Sequence, residues 1–461
     1  MDNKLTRRKF LTVTGAAIPA LNIFNIFKKR ELPNIIWLIA DDAGWNDFGC
    51  FGDPVIHTPN IDRLGYNGLR FTNAYITSPQ CSPSRSSLWS SKYAHSTGTE
   101  DLHAPLPAKE KIFPQFIRGK NYFSGNVGKL HLGKPSRKKF DFISKDVDNW
   151  NKFFKKSPKN SPFFLALGFH QPHRPFKYKK QKYEYNRNKI ILPPYLPDLN
   201  PVRKDLKRYY NEISKMDYKI GKLLKYLENN ELLENTLIVF LSDNGPPFPR
   251  AKGFLYDPGI KTPLIFYWKN KIKAAINEKL VSTIDLVPTL LEMIDIDIPD
   301  FLHGESFYNI IKRKWANHRK YLFTERNWHD LDDHVRSVRT DKYKYIRNYL
   351  PWKPYTLPAD VFGSPSFKAM LKAKRNNNLS DQKKLIFKWP RPAEELYDLE
   401  QDPNEFNNLA FRKDYNGIIG ELKESLNSWE DRTNDVSIRK RKPDSYDYRK
   451  IFKKGEIDIQ F

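Results

Sequence analysis

Four short apolar runs punctuate the chain, each bounded by turn-forming or polar residues: NIIWLIA (34–40), FFLALGF (163–169), TLIVFL (236–241) and TPLIFYW (262–268). Uninterrupted runs of this length predict strands buried on both faces. A weaker run, YFSGNV, predicts a further strand ahead of GKLHLGK. Between the runs, YYNEISKMDYKIGKLLKYLEN (209–229) and STIDLVPTLLEMI (282–294) carry helical spacing. Strands alternating with helices predict an α/β domain with a mostly parallel central sheet flanked by helices. In such sheets ligands gather beyond the carboxyl ends of the strands.

The polar residues just past these runs form a group. Asp41 and Asp42 follow the first, His170 and His173 the second, Asp243 and Asn244 the third, and Lys129 and His131 the weaker strand. One acidic pair at a strand end can be a helix cap; four polar clusters at four strand ends predict a single site on one edge of the sheet. Asp41, Asp42, Asp243 and Asn244 offer hard oxygen ligands, suited to calcium or magnesium rather than zinc or copper. Lys129, His131, His170 and Lys252 add positive charge and proton-transfer capacity, as an oxyanion-handling site requires.

From about residue 316 the texture changes. Aromatic and basic residues alternate in DKYKYIRNY, a Lys- and Asn-rich stretch at 371–384 reads as a polar loop, and AEELYDLEQDPNEFNNLA follows. A smaller domain of antiparallel strands plus a helix is expected. The organisation is then an export signal at 1–30, a catalytic domain at 31–315, the smaller domain at 316–432 and a charged tail at 433–461. Lys4, Arg7 and Arg8 ahead of a mostly apolar stretch from Phe10 to Phe27 form the signal, and TRRKFL resembles a twin-arginine one. Export to the periplasm or beyond is expected; AIPA lacks the usual cleavage pattern, which leaves a retained anchor open. No later segment is long and apolar enough to span a bilayer.

Composition adds a partner class. Lys and Arg outnumber Asp and Glu by 79 to 53, a formal charge of +26. Such an excess draws polyanions, either nucleic acid or an anionic polymer, although the lysines are spread along the chain as compositional drift would also leave them. Of the two cysteines, Cys50 lies in the turn-rich DFGCFGDP and reads as a small buried hydrophobe, and no disulfide to Cys81 is expected.

Cys81 sits instead in SPQCSPSRSSLWSS. A thiolate phosphatase separates its Cys and Arg by five residues, whereas Cys81 and Arg85 are separated by three. Pro83 fits the first turn of a helix whose free N–H groups can face an anion. CSPSR resembles the C-x-P-S-R signature of type I sulfatases of the alkaline phosphatase superfamily, in which the cysteine becomes formylglycine. IADDAGWNDFGCFGDP, TPNIDRL, CSPSRSSL, GKLHLGK, GFHQPHRPF, SDNGPPFPRAKGFLYDPGIKTPLI and LYDLEQDPNEFNNLA occur in the family's order. FHQPHRPF, DNGPPFPRAK and RPAEELYDLEQDP are most similar to the heparan N-sulfatase, or sulfamidase-like, branch, whose bacterial relatives include enzymes of O-sulfated algal glycans such as ulvan.

The resemblance implies one calcium ion bound by Asp41, Asp42, Asp243, Asn244 and the modified Cys81. It implies that the hydrated aldehyde attacks sulfur with Asp243 as base, and that Arg85 and Lys129 stabilise the diol and its alkoxide. His131 then removes the proton that expels sulfate, while His170 and Lys252 grip the sulfate and protonate the leaving atom. A sulfatase-maturing enzyme is an implied partner. One departure stands out, because Ser90, Ser91 and Lys92 replace the family's Thr-Gly-Arg, which bears on how efficiently Cys81 is converted. His173, Arg174, His329, His334 and Arg336 have the donors to hold an acidic glycan; His173 and Arg174 also fit a bracing role. His57 reads as a scaffold residue, His95 fits either a scaffold or a ligand role, and Trp328 reads as core or as a stacking surface for a sugar. The rival functions are a phosphoester or phosphonate hydrolase on the same scaffold and an inactive glycan-binding homologue.

Overall fold

The computed structural model describes residues 32–176, 183–313, 316 and 318–435. Ten strands belong to the first part of the chain: β1 (Asn34–Asp41), β2 (Leu69–Phe71), β3 (Ala74–Tyr75), β4 (Phe123–Gly128), β5 (Phe142–Ser144), β6 (Phe163–Pro172), β7 (Thr236–Ser242), β8 (Leu264–Tyr267), β9 (Ala275–Asn277) and β10 (Val281–Ser282). Eight of them form one sheet in the order β5-β4-β6-β1-β7-β8-β2-β9, while β3 and β10 pair separately. The block from β5 to β7 is parallel throughout, and β8 runs antiparallel to both β7 and β2. The apolar runs are therefore the central strands, as expected from burial on both faces. Since β4, β6, β1 and β7 are parallel, the residues that follow them emerge on one edge.

Two glycines hold that edge tight. Gly128 lies at φ +84°, and a Cβ on Gly168 would stand 1.9 Å from the Lys129 carbonyl oxygen. Neither position has room for a side chain, which lets the Lys129 N–H donate to the Gly168 carbonyl at 2.7 Å. One step further, the β1–β6 register slips between Ile39 and Asp41, where β6 carries extra residues. This bulge re-aims His170, which is exposed at the rim.

The Cys81–Ser90 helix crosses this edge and is buried along its whole length. It starts from an extended Gln80 and stops where Ser91 turns left-handed at φ 56°, its N–H donating to the Ser87 carbonyl. Trp89 on its underside meets Trp37 of β1 at 4.8 Å and Phe164 of β6 at 5.8 Å between ring centroids. That packing fixes the height of Cys81 above Asp41, and Trp89→Ala would cost about 3–5 kcal/mol. The Asn200–Asn229 helix packs behind β6; it begins nine residues before the expected Tyr209, with Pro201 in its first turn. The expected 282–294 helix is a short 3-10 turn followed by Leu286–Met293, its start tied by the Ser282 N–H donating to Asp285 Oδ2 at 3.3 Å.

A second sheet follows: β11 (Leu322–Arg326), β12 (Val335–Arg339), β13 (Tyr343–Asn348) and β14 (Glu394–Asp398), antiparallel in that order, with the Asn416–Arg432 helix against it. The expected polar loop at 371–384 is largely helical. Ser364 caps the Pro365–Arg375 helix through the Phe367 N–H, and Asp381–Lys384 forms a further turn of helix. Tail residues 433–435 are anchored: His95 Nε2 lies 2.9 Å from Thr433 Oγ1, and Arg336 grips Asp435. The export signal and the tail from residue 436 lie outside the described residues. Cys50 and Cys81 are both free and buried.

Candidate active site

At the shared edge β1 delivers Asp41 and Asp42, the β7 end delivers Asp243 and Asn244, and the helix start brings Cys81 between them. Cys81 Sγ is 3.5 Å from Asp41 Oδ1 and 3.7 Å from Asp42 Oδ1. Burial and the neighbouring acids push the Cys81 thiol well above its ordinary value, against the pull of Lys129 and Lys252. Asp42 occupies a left-handed conformation, φ 70°, in which its N–H donates to Asp243 Oδ1 at 3.2 Å. Asn244 Nδ2 donates to Asp42 Oδ1 at 2.7 Å.

Three cations interleave these acids. Lys129 Nζ donates to both oxygens of Asp41 at 2.6 Å, and Arg85 Nε donates to Asp243 Oδ2 at 2.6 Å while its Nη1 takes the Lys129 carbonyl at 2.7 Å. Lys252 Nζ bridges Asp42 at 2.7 Å and Asp360 at 2.9 Å. Burial opposes ionisation of Asp41, but Lys129 and the other cations outweigh it and hold the carboxyl well below the usual range. Burial wins at Asp243, raising it to about 6 despite Arg85. Burial also works against both lysines, yet Asp41 pushes Lys129 up to about 12, and Asp360 with Asp42 raises Lys252 further. His131 is driven well below the imidazole range by burial, Lys129 and His103, so it is neutral. His170 is lowered too, chiefly by burial.

Asp360 was invisible in the sequence. It comes from the Ala359–Phe362 turn, far along the chain, and shares Lys252 with Asp42. His173 Nε2 stands 3.8 Å from both Asp42 and Asp360, and Asp41, Asp42, Cys81 and His173 bring ligand atoms within 4.8 Å of one another. His329 supports this turn from behind: its Nδ1 contacts Asp330 Oδ2 at 2.6 Å, and the same oxygen accepts the Ala359 N–H at 2.7 Å.

Other residues expected to hold a glycan are engaged elsewhere. Arg174 donates to both oxygens of Asp205 at 2.9 and 2.6 Å and lies over Phe176 and Phe248, the bracing alternative. Arg336 is buried against Asp435, and His334 lies edge-on to Tyr349 in the same neighbourhood. A bidentate arginine reads the same in sequence whether its carboxylate belongs to a ligand or to a residue far along the chain. Trp328 is likewise buried, its carbonyl accepting from Gln80 Nε2 at 3.1 Å.

The donor set fits a hard divalent cation. Asp41, Asp42, Asp243 and Asn244 present buried oxygens, and Asn244 Oδ1 has no hydrogen-bond partner. With Asp360, four carboxylates face Arg85, Lys129 and Lys252, a surplus of negative charge that a dication would reverse toward an anionic ester.

A sulfatase family model matches residues 33–146 and 145–296, and a model of the C-terminal region of N-sulphoglucosamine sulphohydrolase matches residues 250–365. An ulvan-active sulfatase of Formosa agariphila is 30% identical, the match covering 87% of this chain and 75% of that protein. Human N-sulphoglucosamine sulphohydrolase is 27% identical, with 87% and 90% covered. A protein solved in complex with its substrate D-glucosamine-2-N,6-O-disulfate superposes with a TM-score of 0.69 at 19% identity, over 88% of this chain and 99% of that one. A 2-O GAG sulfatase does so with a TM-score of 0.69 at 20% identity, over 91% and 100%. Fold, motif order and a family match across more than half of its length agree: the chain belongs to the sulfatase family and is a sulfuric ester hydrolase.

Proposed function

We propose that this protein is an exported, calcium-dependent sulfatase that removes sulfate from a sulfated glycan, using formylglycine made from Cys81. The observation that carries the reading is the seat of Cys81, at a helix N-terminus, between Asp41 and Asp42, with Lys129 and Lys252 paired to those same acids. A helix start surrounded by fixed cations favours a bound oxyanion. Formylglycine would supply a hydrated aldehyde in place of the thiol, an oxygen nucleophile at the same atom position. Calcium held by Asp41, Asp42, Asp243 and Asn244 would supply a positive centre for the sulfate oxygens.

The chain's own residues account for the rest. Lys129 is held by Asp41, and Lys252 by Asp42 and Asp360, so both ammonium groups are fixed beside Cys81, where they would meet sulfate oxygens with little reorganisation. Arg85 pins Asp243 and the Lys129 carbonyl and thereby sets the spacing of base and cation. Asp243, held by Arg85 and the Asp42 N–H beside Cys81, is the candidate proton acceptor. His131, held neutral by its enclosed surroundings and Lys129, is the second acceptor. His170, exposed at the rim, is the candidate hydrogen-bond donor to the leaving sugar atom. The sugar is a sulfated polysaccharide or oligosaccharide, an ulvan-like glycan such as one relative's name gives or heparan sulfate, and the formal charge of +26 favours such polyanions.

The test is the protein co-expressed with a sulfatase-maturing enzyme. The Cys81 peptide should lose sulfur and two hydrogens and gain one oxygen, and activity should fall on chelation and return with calcium. Hydrolysis of an aryl sulfate should exceed that of the matching aryl phosphate. Preferential phosphate hydrolysis would move the chain to the phosphoester reading, and activity with unconverted Cys81 would end the formylglycine one.

A further inference from the structure

His131 is half-buried, and its two ring nitrogens are differently placed. Its Nε2 lies 2.8 Å from Nδ1 of His103, a residue of the 101–104 turn, whereas its Nδ1 is buried with no hydrogen-bond partner. His103 is half-buried as well, and because Nδ1 of His131 is enclosed, a proton taken up there has its way out through Nε2 and His103. His103 is held at the other end by its backbone N–H, which donates to Ser82 Oγ at 2.7 Å, one residue from Cys81. Both histidines adopt left-handed backbone conformations, His103 at φ 70° and His131 at φ 61°. Side chains other than Gly, Asn and Asp rarely take that region, and two strained histidines meeting ring to ring indicate a position that the surroundings enforce.

The single proton between the two rings can belong to either. If His103 Nδ1 kept it, neutral His131 would carry its own proton on Nδ1, a buried donor without an acceptor. Burial, Lys129, His103 and Arg85 all act on that ring against a positive charge, and Asp41 acts for one. Two fixed cations favour a lone pair over an N–H there. The arrangement of lower energy therefore has His131 Nε2–H donating to His103 Nδ1 and leaves Nδ1 of His131 as the open acceptor.

From this geometry we infer that His103 is a positioning residue that fixes the tautomer of His131 and forms the outer half of a proton path to solvent. When Nδ1 of His131 takes up a proton, the proton on its Nε2 passes to Nδ1 of His103, and His103 releases the proton on its own Nε2 to water. One proton enters and one leaves, no electrons move, and both rings return to neutrality in exchanged tautomers, reset by rotation or by the reverse transfer. The inference rests on the reading above, in which His131 is a proton acceptor.

The experiment uses the full chain with Cys81 unconverted and its histidines labelled with nitrogen-15, the His131 signals being assigned by difference against His131→Gln. Near neutral pH, His131 should carry its proton on Nε2. In His103→Ala that tautomer should give way to a mixture or to Nδ1–H. His103→Asn offers an amide oxygen in place of Nδ1, so it should restore the tautomer but not the path. In the converted enzyme, turnover of an aryl sulfate should fall about tenfold or more in both variants, and added imidazole should recover it in His103→Ala. A His131 proton on Nδ1 in the unsubstituted protein, an unchanged tautomer in His103→Ala, or full turnover in His103→Asn would each overturn the inference. Failure of the unsubstituted, converted protein to hydrolyse any sulfate would count against the sulfatase reading instead and leave the tautomer result standing.

Discussion

Two buried, charge-rich regions of this chain follow different rules. Around the small sheet several buried carboxylates are closed by cations: Asp257 by Arg339 and Lys344, Asp333 by Arg391 and Arg326, Asp435 by Arg336. At the edge of the large sheet acids and bases also alternate, but Arg85 Nη2, Asn244 Oδ1 and His131 Nδ1 are buried with no hydrogen-bond partner. Each open polar atom costs about 1–3 kcal/mol. Charge is common to both regions, and unpartnered atoms such as Asn327 Oδ1 and His329 Nε2 occur beside the small sheet too; what sets the large-sheet edge apart is that its open atoms lie among the acids and cations gathered around Cys81. Arg336 and Arg174, both candidates for glycan contact on chemistry alone, fall on the closed side.

The largest effect should come from the open side. Cys81→Ser, in a host that converts cysteine only, should reduce turnover by at least about 10³-fold, as loss of a nucleophile does. Its thermal unfolding should stay close to that of the unsubstituted protein, because a buried thiol and hydroxyl differ little in size. Retained activity would show that the open cluster works without the cysteine.

Breaking the closed side should cost stability instead. Arg336→Met strands Asp435 and should lower unfolding free energy by about 3–5 kcal/mol. The remaining folded protein should keep the same kcat/KM on a sulfated oligosaccharide and on an aryl sulfate. A loss confined to the oligosaccharide would return Arg336 to the glycan.

His329 tests the border between the regions. It supports the turn that carries Asp360, so His329→Ala should slacken the Lys252 bridge and lower kcat/KM about tenfold on both substrate types. A glycan-selective loss would mean that the imidazole touches sugar directly.

The smallest effect is a pH dependence on the closed side. Burial opposes the His95 imidazolium, but Glu325 at 3.0 Å outweighs it and raises the pKa above the ordinary value. A raised folded pKa gives stability that is complete below the unfolded value, about 6.5, and fades as pH rises through the folded value. The stability gap between the unsubstituted protein and His95→Gln should therefore be widest on the acid side of that window. Unfolding curves across the window that keep a constant gap would assign His95 a packing role alone.

The sequence exposed the site most clearly where local pattern and fold coincide. A strand buried on both faces is an apolar run, and the first polar residues after it must sit at the sheet edge, which is how Asp41, Asp42, Lys129 and Asp243 could be grouped. Asp360 had no such marker, because LPADVF carries no periodicity and its partner Lys252 lies in another part of the fold. His103 was hidden in a turn, where a left-handed φ leaves no trace in residue type. The helix at Pro365–Arg375 was legible and overlooked: Ser364 and Pro365 form a cap and first turn, ahead of an apolar face at Phe367 and Met370.

Cys81 is 2% exposed, at the start of a helix with no exposed residue. On the formylglycine reading, this burial sets a deadline. The strand that brings Asp243 over the cysteine, and then Lys252, leave the ribosome about 170 residues after it, which at roughly 5–20 residues per second amounts to about 10–30 s. The modifying enzyme must meet the segment within that interval, so slowing either elongation or the folding of β7 should raise the yield of active molecules without altering one atom of the finished protein.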